Sequence, residues 1–199
     1  MTPLLTIKST VARVAGWAWM VFAALNLIDI AVRGRDMASV VMTTLLLLGC
    51  GIAYAVGLRP AVVADEQGYT VRNPLRDTRV PWRASRKIEA ADALLVTFKA
   101  ADGERKTKAW VHQTSPRARA KAEARERRQA ARMPDAAATA LKHGTPTMFA
   151  AQQLNELARE HKGKGDADQG TVAWSRPAVA AVAVPGALAV AASLIALLS

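Results

Sequence analysis

Cysteine, aromatic residues and acids are all scarce in this chain. The single cysteine, Cys50, cannot close an internal disulfide, so the fold requires no oxidising compartment. It lies in an apolar run and reads as a small packing residue. Aromatic residues make up 5% of the chain although 51% is hydrophobic, and Ala and Val supply much of the rest. That mixture describes membrane segments beside a small soluble part, not one large core. Asp and Glu number 16 against 27 Lys and Arg, a formal net charge of +11. A balance this basic suits nucleic acid or an anionic membrane surface as a partner.

The usual marks of catalysis are missing as well. His112, His143 and His161 are far apart and share no metal-ligand spacing with a Cys or an acid pair. "GKGDADQG" lacks the strand–loop–helix setting of a phosphate-binding loop. Ser85 and Ser115 have no base partner that the sequence supports. The expectation is a non-enzyme with no catalytic residue, metal or cofactor.

What the chain does have is long apolar runs. They cover residues 14–32, 37–58 and 177–198, each near the roughly 20 residues that cross a bilayer core. The first is longer than a signal-peptide core, and a second span follows after only a few residues, so it is read as retained. "RGRD", Arg33 to Asp36, joins the first two as a membrane hairpin at 14–58. The third run is rich in Ala and holds Pro185-Gly186 at its middle, a pair that can kink a helix or bring helices close. Asp29 is the only charge within these runs and stands at i,i+4 to Arg33, the spacing of a local ion pair. Trp17 and Trp174 suit interfacial belts.

Lys8 and Arg13 precede the first run, and Arg59, Arg72 and Arg76 follow the second. Arg159, Lys162, Lys164 and Arg176 precede the third, while only Arg33 and Arg35 lie in the opposite loop. The bias predicts a multi-pass protein of the cell membrane. The N-terminus (1–13) and the central block would be cytoplasmic and the C-terminus outside.

The block from Arg59 to Arg176 holds 23 Lys and Arg against 14 Asp and Glu. Its first part, 59–115, reads as six short antiparallel strands: 61–65, 69–73, 78–82, "KIEAAD", 94–99 and 106–111. "EQG", Glu66 to Gly68, is a turn in which Gly offers positive φ, and Asp102-Gly103 is a hairpin turn. Val71, Val80, Trp82, Leu95, Phe98 and Trp110 are the candidate sheet core. Residues 116–133 read as a basic helix with charge on every side. Its Arg117, Arg119, Lys121, Arg125, Arg127, Arg128 and Arg132 are candidate contacts to an anionic surface. Residues 134–164 are a connection plus an amphipathic helix at about Thr147 to His161, with Phe149, Leu154, Leu157 and Ala158 on one face. Residues 165–176 read as a flexible linker.

Two spans followed by "ADEQGYTVRN", "RVPWRA", "LVTFKAADGE" and "AWV" resemble the bacterial PH-like domain of actinobacterial membrane proteins. The group includes the mycobacterial low-molecular-weight antigen 6. The shared features are Asp65 to Gly68, Val71-Arg72, Trp82 and Asp102-Gly103, over about residues 60 to 112. The resemblance implies a strongly bent antiparallel sheet closed by a C-terminal helix, hence a membrane α-helical plus α+β fold. It carries over no lipid-binding or catalytic residue. Ser85 departs from it, since an aliphatic residue is expected three positions after the Trp.

The reading that follows is a membrane protein whose PH-like domain is a protein-interaction scaffold or a binding module close to anionic lipid. The protein partner and the oligomeric state stay unnamed. A nucleic-acid role for the basic helix is the alternative, and it lacks aromatic residues for base stacking. A small transporter subunit is a further alternative, supported only by Asp29 and Asn26.

Overall fold

The computed structural model describes residues 3–91, 93–111, 146–165 and 167–198. The basic helix expected at 116–133, with its seven candidate contacts, lies outside them, as do His112 and His143.

Three helices are long and apolar enough to cross a membrane. The first, α1, covers Thr10–Arg33, capped by the Ser9 hydroxyl accepting from the Ala12 amide. The second, α2, covers Met37–Ala53 behind an Asp36 cap and runs on as a π-helical turn, Tyr54–Leu58. The last, α4, covers Arg176–Leu198. These helices and the turn Asn73–Asp77 belong to one compact unit.

Within it, α2 and α4 meet at Gly51. A Cβ on Gly51 would stand 1.8 Å from the Ala181 carbonyl oxygen. Pro185 explains why that oxygen is available. It is four residues on, has no N–H, and leaves the Ala181 carbonyl without its helical donor. In a bilayer a polar group needs protein nearby. The small Gly51 lets the neighbouring backbone approach that oxygen. Gly186 makes only ordinary contact with the Leu48 side chain, at 3.7 Å.

Arg59 follows the π-helical turn with its side chain buried, donating to Asp77 at 2.6 Å and to the Asn73 carbonyl. Arg76 stacks over the Trp174 ring at 4.3 Å. Two cations that counted towards orientation are therefore engaged with the protein itself.

The second unit is built on antiparallel strands. In chain order they are β1 (Leu5–Ile7), β2 (Ala61–Asp65), β3 (Gly68–Arg72), β4 (Arg76–Pro81), β5 (Ser85–Ala90), β6 (Leu94–Ala100) and β7 (Gly103–Ala109), with β8 (Thr171–Trp174) near the end. They form a five-stranded sheet, β1-β2-β3-β4-β8, and a three-stranded sheet, β5-β6-β7. The helix α3, Pro146–Glu160, packs on the second.

Alternation explains the packing. β2 and β3 pair Val62 with Val71 and Ala64 with Tyr69, and all four are buried. β1 extends this layer, with Ile7 opposite Val62 and Leu5 opposite Ala64. β6 sends Leu94, Val96 and Phe98 inwards to meet Trp82, Ile88 and Leu154 in one core.

All six expected strands form, within two or three residues at their ends. Several details differ. The segments at Leu5–Ile7 and Thr171–Trp174, expected as a tail and a linker, are strands. Trp82 lies in a 3₁₀ turn, Trp82–Ala84, because β4 ends at Pro81. Gly68 has no positive φ, whereas Gly103 does, at 119°. Gly68 answers a steric need instead: a Cβ there would lie 2.4 Å from the Val80 carbonyl oxygen.

Two of the six core candidates are misplaced. Leu94 and Val96 point inwards, so Leu95 between them faces out opposite Lys108 and is only half-buried. Trp110 is 46% exposed because Ala109 and Val111 on either side of it take the buried positions. Val71, Val80, Trp82 and Phe98 are buried. Phe149 also leaves the face expected for it. The stripe that packs on the sheet is Thr147, Ala150, Ala151 and Leu154, with Leu157 and Ala158 partly covered.

Candidate functional site: a buried network and a helix–strand groove

The residues that carried the resemblance converge on Asp65. Its carboxylate accepts from the Gln67 and Gly68 amides, both at 3.0 Å, which closes the turn. Arg79 on β4 grips it with two further hydrogen bonds, at 2.6 and 2.8 Å, and also donates to the Thr70 hydroxyl at 3.2 Å. The Trp82 indole N–H donates to the Asp65 carbonyl at 2.9 Å, and the Trp82 amide to the Gln67 carbonyl at 3.2 Å. The Arg79 hydrogen bonds hold the Asp65 carboxyl below its ordinary range. Both Asp65 carboxylate oxygens accept hydrogen bonds within the fold, so the network ties β2, β3 and β4 together.

Tyr69 lies against Trp82, ring centroids 5.1 Å apart. Burial pushes the Tyr69 hydroxyl up from its ordinary value, opposed by a hydrogen bond with Ser85 at 3.0 Å. Ser85 thus stands where an aliphatic residue was expected because it answers a buried phenol. His161 completes the cluster, its ring 6.0 Å from Trp82.

The open feature is a groove of about 740 Å³ between α3 and the edge strand β5. Ile88, Ala90 and Ala151 form its floor, Met148 and Phe149 its apolar rim, and Glu89, Glu156 and Arg159 its polar edge. Met148 is 47% and Phe149 51% exposed. Asn155 donates to the Ile88 carbonyl at 3.2 Å, so the helix already satisfies one outward-facing backbone group of the strand. Among the described residues β5 has β6 on one side only. An edge strand beside an apolar rim is the chemistry that receives an extended peptide. No local pattern announced this groove, since Phe149 was expected on the buried face of its helix and is instead exposed.

In the membrane-helix unit, Asp29 and Arg33 form the expected pair at 3.3 Å, with both side chains largely exposed. Among the described residues no group of three or more His, Cys, Asp or Glu could hold a metal. Comparisons with protein-family models, curated proteins and solved structures returned no match.

Proposed function

We propose that this chain is an integral membrane protein whose cytoplasmic sheet-and-helix domain is a PH-like, non-enzymatic protein-binding module. The observation that carries the reading is the groove between β5 and α3. It joins a strand edge, which offers main-chain hydrogen bonds, to the exposed Met148 and Phe149, which offer apolar anchorage. The resemblance of the Asp65, Gly68 and Trp82 segment to actinobacterial PH-like domains supports the same reading. So does the position of the module in the sequence, between apolar helices that would hold it at a membrane. Localisation then needs no ligand, and the groove is left for a protein partner.

The test places a photo-crosslinking side chain at Phe149 of the full-length protein in its native membrane. A discrete adduct, absent when the probe is moved to the exposed Arg72 on β3, is the expected result. No adduct at Phe149, or the same adducts at both positions, overturns the reading.

A further inference from the structure

Resting on that reading, we propose that the outer face of the β5-β6-β7 sheet docks electrostatically onto an anionic lipid leaflet. The register defines the face. With Leu94, Val96 and Phe98 pointing into the core, the alternate positions Leu95, Thr97 and Lys99 lie on the other face, where Lys99 is exposed, Leu95 half-buried and Thr97 buried. Lys87 and Lys106 flank Thr97, Glu89 and Lys108 flank Leu95, and Glu104 stands opposite Lys99.

A β-bulge enriches this face. The β5–β6 register shifts between Ser85 and Lys87, which interrupts the alternation. Ser85 turns inwards to the Tyr69 hydroxyl and Ile88 is buried, while Arg86 and Lys87 between them are both exposed. The face thus gathers Arg86, Lys87, Lys99, Lys106 and Lys108 against two acids. Of these cations, Lys87 is 2.7 Å from Glu89.

Trp110 continues the outward parity of Lys106 and Lys108 and is 46% exposed. A cationic sheet face ending in an exposed indole matches the two demands of a bilayer surface, negative headgroups and an amphipathic interface. The chain itself selects this occupant. The sheet lies in sequence between candidate spans, so a leaflet is always within reach, whereas nucleic acid or an acidic protein would have to be recruited.

The test uses the full-length protein with Cys50→Ser and Leu95→Cys, so that one nitroxide label reports from the face. It is reconstituted in nanodiscs of phosphatidylcholine alone, or with roughly 30% phosphatidylglycerol to supply the negative surface. The label is expected to lose collisions with a water-soluble relaxer in the anionic discs only. Raising salt to ~0.5 M should restore them by screening. Lys99→Gln with Lys106→Gln should lower the docked-to-free ratio about fivefold per lysine. Trp110→Ala should weaken docking and leave its salt dependence in place. Equal accessibility in both kinds of disc overturns the proposal. So does protection that appears only on adding RNA or an acidic protein. Hydrogen exchange of the β6 amides in the glutamine variants verifies the fold. An unchanged Phe149 adduct in those variants separates this proposal from the groove.

Discussion

Arg79 and Asp65 meet through two parallel hydrogen bonds, Nη1 to Oδ2 at 2.6 Å and Nη2 to Oδ1 at 2.8 Å. The pair links β4 to the turn between β2 and β3, and the Trp82 indole closes on the same turn. A planar fork on a carboxylate fixes geometry as well as charge.

That pair sets a pH dependence. The Asp65 carboxyl is depressed in the folded state, chiefly by Arg79. The stability it contributes is therefore present above its unfolded value, near 4, and is lost as pH falls through the folded value. Asp65→Asn should cost about 1.5–3 kcal/mol at neutral pH, the range for hydrogen bonds to a charged group. It should also flatten the acid limb of the stability curve. Hydrogen exchange of the β3 and β4 amides between neutral and acid pH reads both effects.

Tyr69 sets the opposite limb. Its folded value is raised by burial, so the neutral phenol is the form that belongs in the fold. The stability it contributes is complete below its unfolded value, near 10, and is lost as pH rises beyond that. Tyr69→Phe should reduce the alkaline loss and leave the Ser85 hydroxyl without its partner, at about 1 kcal/mol near neutrality. A denaturant titration at neutral and at alkaline pH separates the two terms.

Gly68→Ala should be among the most damaging single-methyl changes in the sheet unit. The added carbon would meet the Val80 carbonyl oxygen at 2.4 Å and the Pro81 Cα at 2.7 Å, both backbone atoms. A loss of at least about 1–3 kcal/mol is expected from such overpacking. Gly103→Ala fails for a different reason. There is open space around Gly103, and its φ of 119° is the obstacle. Equilibrium unfolding of the two variants should show the larger loss at Gly68.

Gly51→Ala tests the helix contact. Its Cβ would fall 1.8 Å from the Ala181 carbonyl oxygen, so α2 and α4 must separate. The lone thiol, Cys50, is next in sequence and reports the event. Its reaction with a thiol dye on heating in detergent should begin at a lower temperature in Gly51→Ala. Restoring the helical donor with Pro185→Ala should relieve the need for that approach and soften the defect.

Local patterns made much of this legible. Runs of about 20 apolar residues have one economical solution, a helix across a bilayer, and they can be read without neighbours. The strands expected at 69–73, 94–99 and 106–111 were equally plain and form at 68–72, 94–100 and 103–109, because period-2 alternation and an Asp-Gly turn are local signals. The i,i+4 pair of Asp29 and Arg33 is local too. Parity was not readable. Leu95 and Trp110 are apolar and sit in good strands, yet which face of a strand is buried depends on what lies across it.

Composition, periodicity and spacing alone therefore determined the apolar helices, the short-stranded region and the amphipathic helix, because each depends on residues within a few positions. Tertiary structure decided the rest. It recruited Leu5–Ile7 and Thr171–Trp174 as strands, since a short segment becomes a strand only when an edge is there to pair with. It turned Arg59 from a flanking charge into the buried partner of Asp77, and it left Phe149 on the rim of a groove. Those outcomes depend on pairings between residues far apart in sequence, which no local pattern encodes.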